Sequence, residues 1–230
     1  MINKEGRRVY DNIRKILFSL ISDNFAEIIV ILFGVISGWG MILFPLQLLH
    51  INIVADGIPD IFFVYEAAEG DIMKRKPIDR KHSLFANGLG KRTGMMTVVL
   101  VVATLAAFFV GRFVEIPDSN IVPSMEIGVC MAFIINSWSS IINSFNIRSF
   151  RKSLFKIGFR TNKMLSYGIL CSVGLTAIVA TNPVLARIFS CVSLSIYHWL
   201  ILLFLGILPL IVGEIHKIIM NKWSDQECMF

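Results

Sequence analysis

The chain has 230 residues, of which 55% are hydrophobic and only 17% charged, with a net charge of +6 and a mean hydropathy of +0.70. A soluble domain of this length carries more charge, so an integral membrane protein is expected. The excess of base follows the loops and orients a membrane protein, so no nucleic-acid partner is expected and the lipid bilayer is the partner that composition implies.

Hydrophobic stretches recur at about 16–37, 41–65, 95–114, 121–142, 164–180 and 194–220. Each is near the roughly 20 residues that cross a hydrocarbon core of about 30 Å. The first follows a polar, charged start and has no small-residue cleavage site behind it, which argues against a signal peptide. The second is the most polar. After it, "DIMKRKPIDR" is too charged to insert, and Pro77 ends any helix that enters it. The outer connections are short ("SGWG" at 37–40, "EIPDSNIVPS" at 115–124), and the inner ones, 66–94 and 143–163, are longer. Of the 22 lysines and arginines, all but Arg112 and Arg187 fall in the N-terminal arm, those two inner loops or the tail. The expected fold is an all-α membrane protein: one domain over 1–230, a six-helix transmembrane bundle with both termini cytoplasmic, multi-pass in the plasma (inner) membrane. Cys130, Cys171, Cys191 and Cys228 show no metal or redox spacing and are expected as incidental thiols.

The polar residues inside the spans carry the chemistry. In "SDNFAEI" of the first span, Asn24 and Glu27 are three apart and share a helix face; in "INIVADG" of the second, Asn52 and Asp56 are four apart and do the same. Glu27 lies about eleven residues beyond Ile16, or about 17 Å at 1.5 Å per residue. Asp56 lies about ten to twelve residues from the outer edge near Phe44, or about 15–18 Å. The two helices run antiparallel, so both pairs reach the midplane and can face each other. An acid there costs about 2.5–3.5 kcal/mol on insertion scales. Oxygen ligands beside loosened backbone are what a hard cation needs in place of water, and Gly57 and Pro59 weaken the ladder beside Asp56. An interhelical hydrogen-bond network and a proton relay are the alternative readings. His50 and His198 are expected to be packed, and Glu214, with Lys217 nearby, to be a neutralised interfacial acid.

The segments "GRRVYDNIRK" (6–15), "SDNFAE" (22–27), "INIVADGIP" (51–59) and "DIMKRKP" (71–77) resemble the C-terminal membrane half of type II P-type cation pumps, the calcium-ATPase group. "NPVLARIF" (182–189) and "LPLIVGEIHK" (208–217) are similar to the approach to that fold's last helix and to its body. The resemblance covers nearly the whole chain, strongly over 6–81 and thinly over 82–180. It implies that the six helices correspond to the fifth through tenth of that fold. It also implies that Asn24, Glu27, Asn52 and Asp56 are ion ligands, with Asp56 in the position that bridges two sites in pumps carrying two ions. Two departures matter. Ala55 stands where those pumps have a ligating threonine, and Ser137 falls about where the eighth helix supplies a glutamate. "YEAAEGDIMKR" leans toward the sodium/potassium branch, which leaves the cation open. Asp23 and Asp60 match no ligand of the family.

The resemblance implies a transported cation, calcium, with ATP and magnesium handled only through a missing half. No phosphorylation motif, actuator loop or nucleotide-binding domain stands in this sequence. The expectation is the ion-binding half of a split or truncated pump. It would have no ATPase activity alone and would need a partner chain bearing actuator, phosphorylation and nucleotide-binding domains. A stand-alone cation transporter or channel, and a non-transporting relic or regulator of a complete pump, are the competing expectations.

Overall fold

Apolar runs of this length hide their backbone polar groups by coiling, and the computed structural model is helical throughout its spans. It describes residues 2–67, 89–116, 121–149, 153–158 and 161–227. The 71–77 motif and Cys228 lie outside the described residues. Among the described residues ten α-helices follow one another: α1 (Ile2–Ile36), α2 (Pro45–His50), α3 (Ile58–Phe63), α4 (Leu89–Phe113), α5 (Met125–Ile147), α6 (Leu154–Ile157), α7 (Lys163–Thr181), α8 (Pro183–Ile188), α9 (Ile196–Gly206) and α10 (Leu208–Glu227). A π-helical stretch, Ile51–Gly57, joins α2 to α3. Six of the described segments are long and apolar enough to cross a membrane: Lys4–Ile36, Pro45–Phe63, Gly90–Phe113, Met125–Ile147, Lys163–Thr181 and Ile196–Met220. No strand occurs among the described residues.

Local chemistry sets the helix ends. The Ser124 hydroxyl accepts from the Ile127 N–H and the Asn162 side chain from the Leu165 N–H, which caps α5 and α7. Asn182 closes α7 with its own N–H to the Ile178 carbonyl and opens α8 by accepting from Val184 and Leu185. Gly38 and Gly40, at φ of 74° and 80°, take the left-handed conformations that make the turn after α1.

The bundle is organised around α5, which packs against α1, α4, α7, α9, α10 and the π stretch and is 83% buried over its most apolar window. A Cβ on Gly111 or Gly128 would fall 2.9 Å from the facing backbone, so α4 and α5 touch main chain to main chain.

Several boundaries differ from hydropathy. The first helix starts at Ile2 rather than near 16, and the third at Leu89 rather than near 95. The fourth begins at Met125 and runs to Ile147, past the expected end at 142. The residues that disguised this end, Asn143, Ser144 and Asn146, are polar but buried, and the Asn146 amide donates to the Pro209 carbonyl at 2.8 Å. Helical structure therefore takes up part of both expected inner loops, 66–94 and 143–163. The last span breaks at Ile207, two residues before Pro209, which has no N–H to continue the ladder.

One end of the bundle is tied by ions. Arg148, just past α5, is fully buried and pairs with Glu66 at 3.0 Å. The same guanidinium donates to the Gly158 carbonyl at 2.9 Å and to the Thr161 hydroxyl. Glu66 also accepts from the Asn162 amide at 2.8 Å, and Lys15 of α1 donates to the Arg148 carbonyl at 2.7 Å. Near the opposite end the Cys130 and Cys191 thiols are both buried, and the Cys130 thiol donates to the Val192 carbonyl at 3.7 Å.

Candidate functional site

In α1, Asp23 and Glu27 are four residues apart and turn to the same side, and both are buried. Asn24, one residue on, is rotated by about 100°. It is half-buried and spends its amide on its own helix, donating to the Leu20 carbonyl at 2.6 Å. Of the expected α1 pair, the structure brings Glu27 into the cluster and leaves Asn24 at its side.

Two layers of polar contact cross between helices. In the first, the Asn52 amide donates to Glu27 Oε2 at 3.4 Å and to the Leu48 carbonyl at 2.9 Å. Glu27 Oε1 accepts from the Asn136 amide of α5 at 3.5 Å, and Asn136 Oδ1 accepts from the Thr104 hydroxyl of α4 at 3.1 Å. The second layer centres on Ser140, one turn along α5. Its Oγ lies 2.5 Å from Asp56 Oδ1 and 3.0 Å from Asp23 Oδ2, and Ser19 donates to Asp23 at 3.2 Å. A serine hydroxyl has one proton, so it donates to one of these carboxylates at a time. The other contact needs a proton or a cation held between oxygens.

The loosened backbone is a π turn rather than an open break. Gly57 sits against the Asn52 carbonyl, where an added Cβ would lie at 3.2 Å. In an i→i+5 ladder the missing Pro59 N–H would have served the Val54 carbonyl. That carbonyl accepts instead from the Ser172 hydroxyl of α7 at 2.7 Å, so a neighbouring helix takes the freed oxygen. Ala55 is buried and apolar, and Ser137 donates to the Phe133 carbonyl of its own helix at 2.9 Å, so neither adds an oxygen to the cluster. Among the described residues no three His, Cys, Asp or Glu side chains converge closely enough to hold a metal. An ion here would draw on amides and hydroxyls as well as acids.

The remaining singled-out groups have structural partners. His50 contacts the Thr176 hydroxyl at 3.1 Å and sits edge-on to Phe133 and Phe189. His198 receives the Ser195 N–H at the start of α9. Glu214 pairs with Lys217 at 2.7 Å and accepts from Ser153 and from the Leu154 N–H. Sequence reasoning missed Asn136 and Ser140. The available signal was their four-residue spacing, which puts both on one face of α5.

Residues 40–219 match the family described as "Cation transporting ATPase, C-terminus". "Calcium-transporting ATPase 1" of Bacillus cereus is 35% identical over 224 residues, covering 94% of this chain and 25% of that protein. "Calcium-transporting ATPase 1" of Lactococcus lactis is 33% identical, with 92% and 23% covered. "Calcium-transporting ATPase type 2C member 1" of Homo sapiens is 29% identical, with 93% and 22% covered. The chain spans about a quarter of the length of these relatives. Six membrane-length helices, buried acids joined across α1, the π stretch and α5, and these matches agree on one conclusion: this integral, multi-pass membrane protein belongs to the cation-transporting ATPase family and corresponds to its C-terminal membrane region.

Proposed function

We propose that this chain is the ion-binding membrane half of a P-type pump that transports calcium. The actuator, phosphorylation and nucleotide-binding domains, with ATP and magnesium, would be supplied in trans by a partner chain. The carrying observation is the junction of Glu27 with Asn52 and Asn136 across three helices, with the Asp56 carboxylate one layer away on Ser140. Its oxygens suit a hard cation. The relatives' calcium-transporting names support calcium as the substrate. In this reading 1–230 is a single transmembrane domain in the plasma membrane, with both termini cytoplasmic. Asn52, Asp56 and Glu27 hold the ion; Asn24 is the member of the expected set that the geometry supports least.

The test is ATP-driven uptake of labelled calcium into vesicles that hold this chain and a catalytic half in trans. Uptake should need both halves, and Asp56→Asn should abolish it, because the ion's dehydration then goes uncompensated. Labelled ATP should phosphorylate the catalytic half and never this chain. Wild-type uptake by Asp56→Asn would make these acids structural.

A further inference from the structure

Asp23 and Asp56 reach the same hydroxyl from different helices, and each keeps one oxygen, Asp23 Oδ1 and Asp56 Oδ2, with no hydrogen-bond partner. They are 2% and 1% exposed. Asp60, one turn beyond Asp56 and 7% exposed, has no hydrogen-bond partner on either oxygen. Buried carboxylate oxygens without donors are costly in any apolar setting, and most of all between membrane helices. A hard divalent cation relieves that cost directly. It takes oxygen ligands at about 2.3–2.6 Å, so two carboxylates held on one hydroxyl can share it. Asn24 offers no comparable arrangement, since its amide is committed to Leu20.

We propose that Asp23, rather than its neighbour Asn24, is the cation ligand that α1 contributes to the Ser140 layer, sharing a hard divalent cation with Asp56 while the Ser140 and Ser19 hydroxyls complete that side of the shell. The assignment rests on the reading above that Asp56 binds a cation, and it names the ligand opposite. Two carboxylates match a divalent charge. The set pairs two acids with hydroxyls, which agrees with the absence of a three-acid centre among the described residues. Asp60 lies outside this shell, one turn beyond Asp56.

The experiment measures equilibrium binding of labelled calcium to the full chain in lipid nanodiscs, with size exclusion and helical circular dichroism to verify folding. Asp23→Asn and Asp56→Asn should each weaken binding by more than about tenfold, as expected for losing one member of a buried charged set. Asn24→Ala should stay within about threefold of wild type, a difference below 1 kcal/mol. Asp23→Glu, which keeps the charge, should bind more tightly than Asp23→Asn. Wild-type binding by Asp23→Asn, equal losses from Asp23→Glu and Asp23→Asn, or a loss from Asn24→Ala as large as from Asp56→Asn would each overturn the assignment. If wild type binds no calcium, or Asp56→Asn leaves binding intact, the cation-site reading itself falls.

Discussion

Arg148 holds Glu66 with two of its nitrogens, Nε at 3.1 Å and Nη2 at 3.0 Å, in a pair whose arginine side chain has no exposed surface. Removing one partner of such a pair strands the other and costs about 3–5 kcal/mol, whereas replacing both with apolar groups costs far less. Arg148→Met should therefore lower the thermal midpoint of the detergent-solubilised chain well below that of the Arg148→Met/Glu66→Leu double variant. Equal midpoints for the single variant and wild type would show that the pair contributes nothing.

Backbone contact between α4 and α5 sets a second expectation. A Cβ on Gly128 would meet the Phe108 carbonyl at 2.9 Å, whereas one on Gly94 meets nothing within 4 Å. Gly128→Ala should cost about 1–3 kcal/mol, as overpacking does. Gly94→Ala should be neutral or slightly stabilising, since alanine favours helix by about 1 kcal/mol. Thermal unfolding of both variants ranks them, and the reverse order would refute the close approach.

A third expectation concerns thiol reactivity. The neighbouring Cys130 thiol, and then burial, push the Cys191 thiol above its ordinary range. The thiolate is the nucleophile, and a raised value keeps it scarce until higher pH. At neutral pH a maleimide should modify a cysteine introduced at exposed Arg187 and spare Cys191. As pH rises, the Arg187→Cys site should speed up first and Cys191 should lag. Mass spectrometry of the labelled peptides reads both, and equal rates would exclude the shift.

Orientation can be read with impermeant labels in a background without Cys171 and Cys228. A cysteine at exposed Lys156 should react from the cytoplasm, and one at exposed Ser37 only from outside. Asn146 falls in the inner loop by hydropathy but is fully buried, so it would be silent from either side. Labelling of Ser37→Cys from the cytoplasm would invert the assigned topology.

Much of this was legible in sequence. Six apolar runs became six membrane-length helices, and the facing of Glu27 and Asn52 followed from depth arithmetic on two antiparallel spans. The finer placement was not. Asp23 and Asn24 are adjacent, and choosing the one that faces the cluster needs a helix rotation that a motif does not supply. Asn136 and Ser140 were lost because hydropathy averages over a window, and their apolar neighbours outweighed them. The end of α5 at Ile147 was hidden for the converse reason: a buried asparagine such as Asn146, whose amide donates to the Pro209 carbonyl of another helix, looks like loop.

The π stretch has a mechanical consequence. Its ladder counts one residue more per bond than an α ladder, and each residue of an α-helix turns the chain by about 100°. If Ile51–Gly57 relaxed to α, α2 and α3 would have to swivel against each other by an angle on that order, and the stretch would lengthen. Asn52 lies at one end of that joint and Asp60 just beyond the other. A push or a quarter turn delivered to α3 would thus shear the two polar layers past one another, parting Asn52 from Glu27 while Asp56 and Asp60 swing together. The second span thus carries its own swivel, a stretch of seven residues set among its polar side chains.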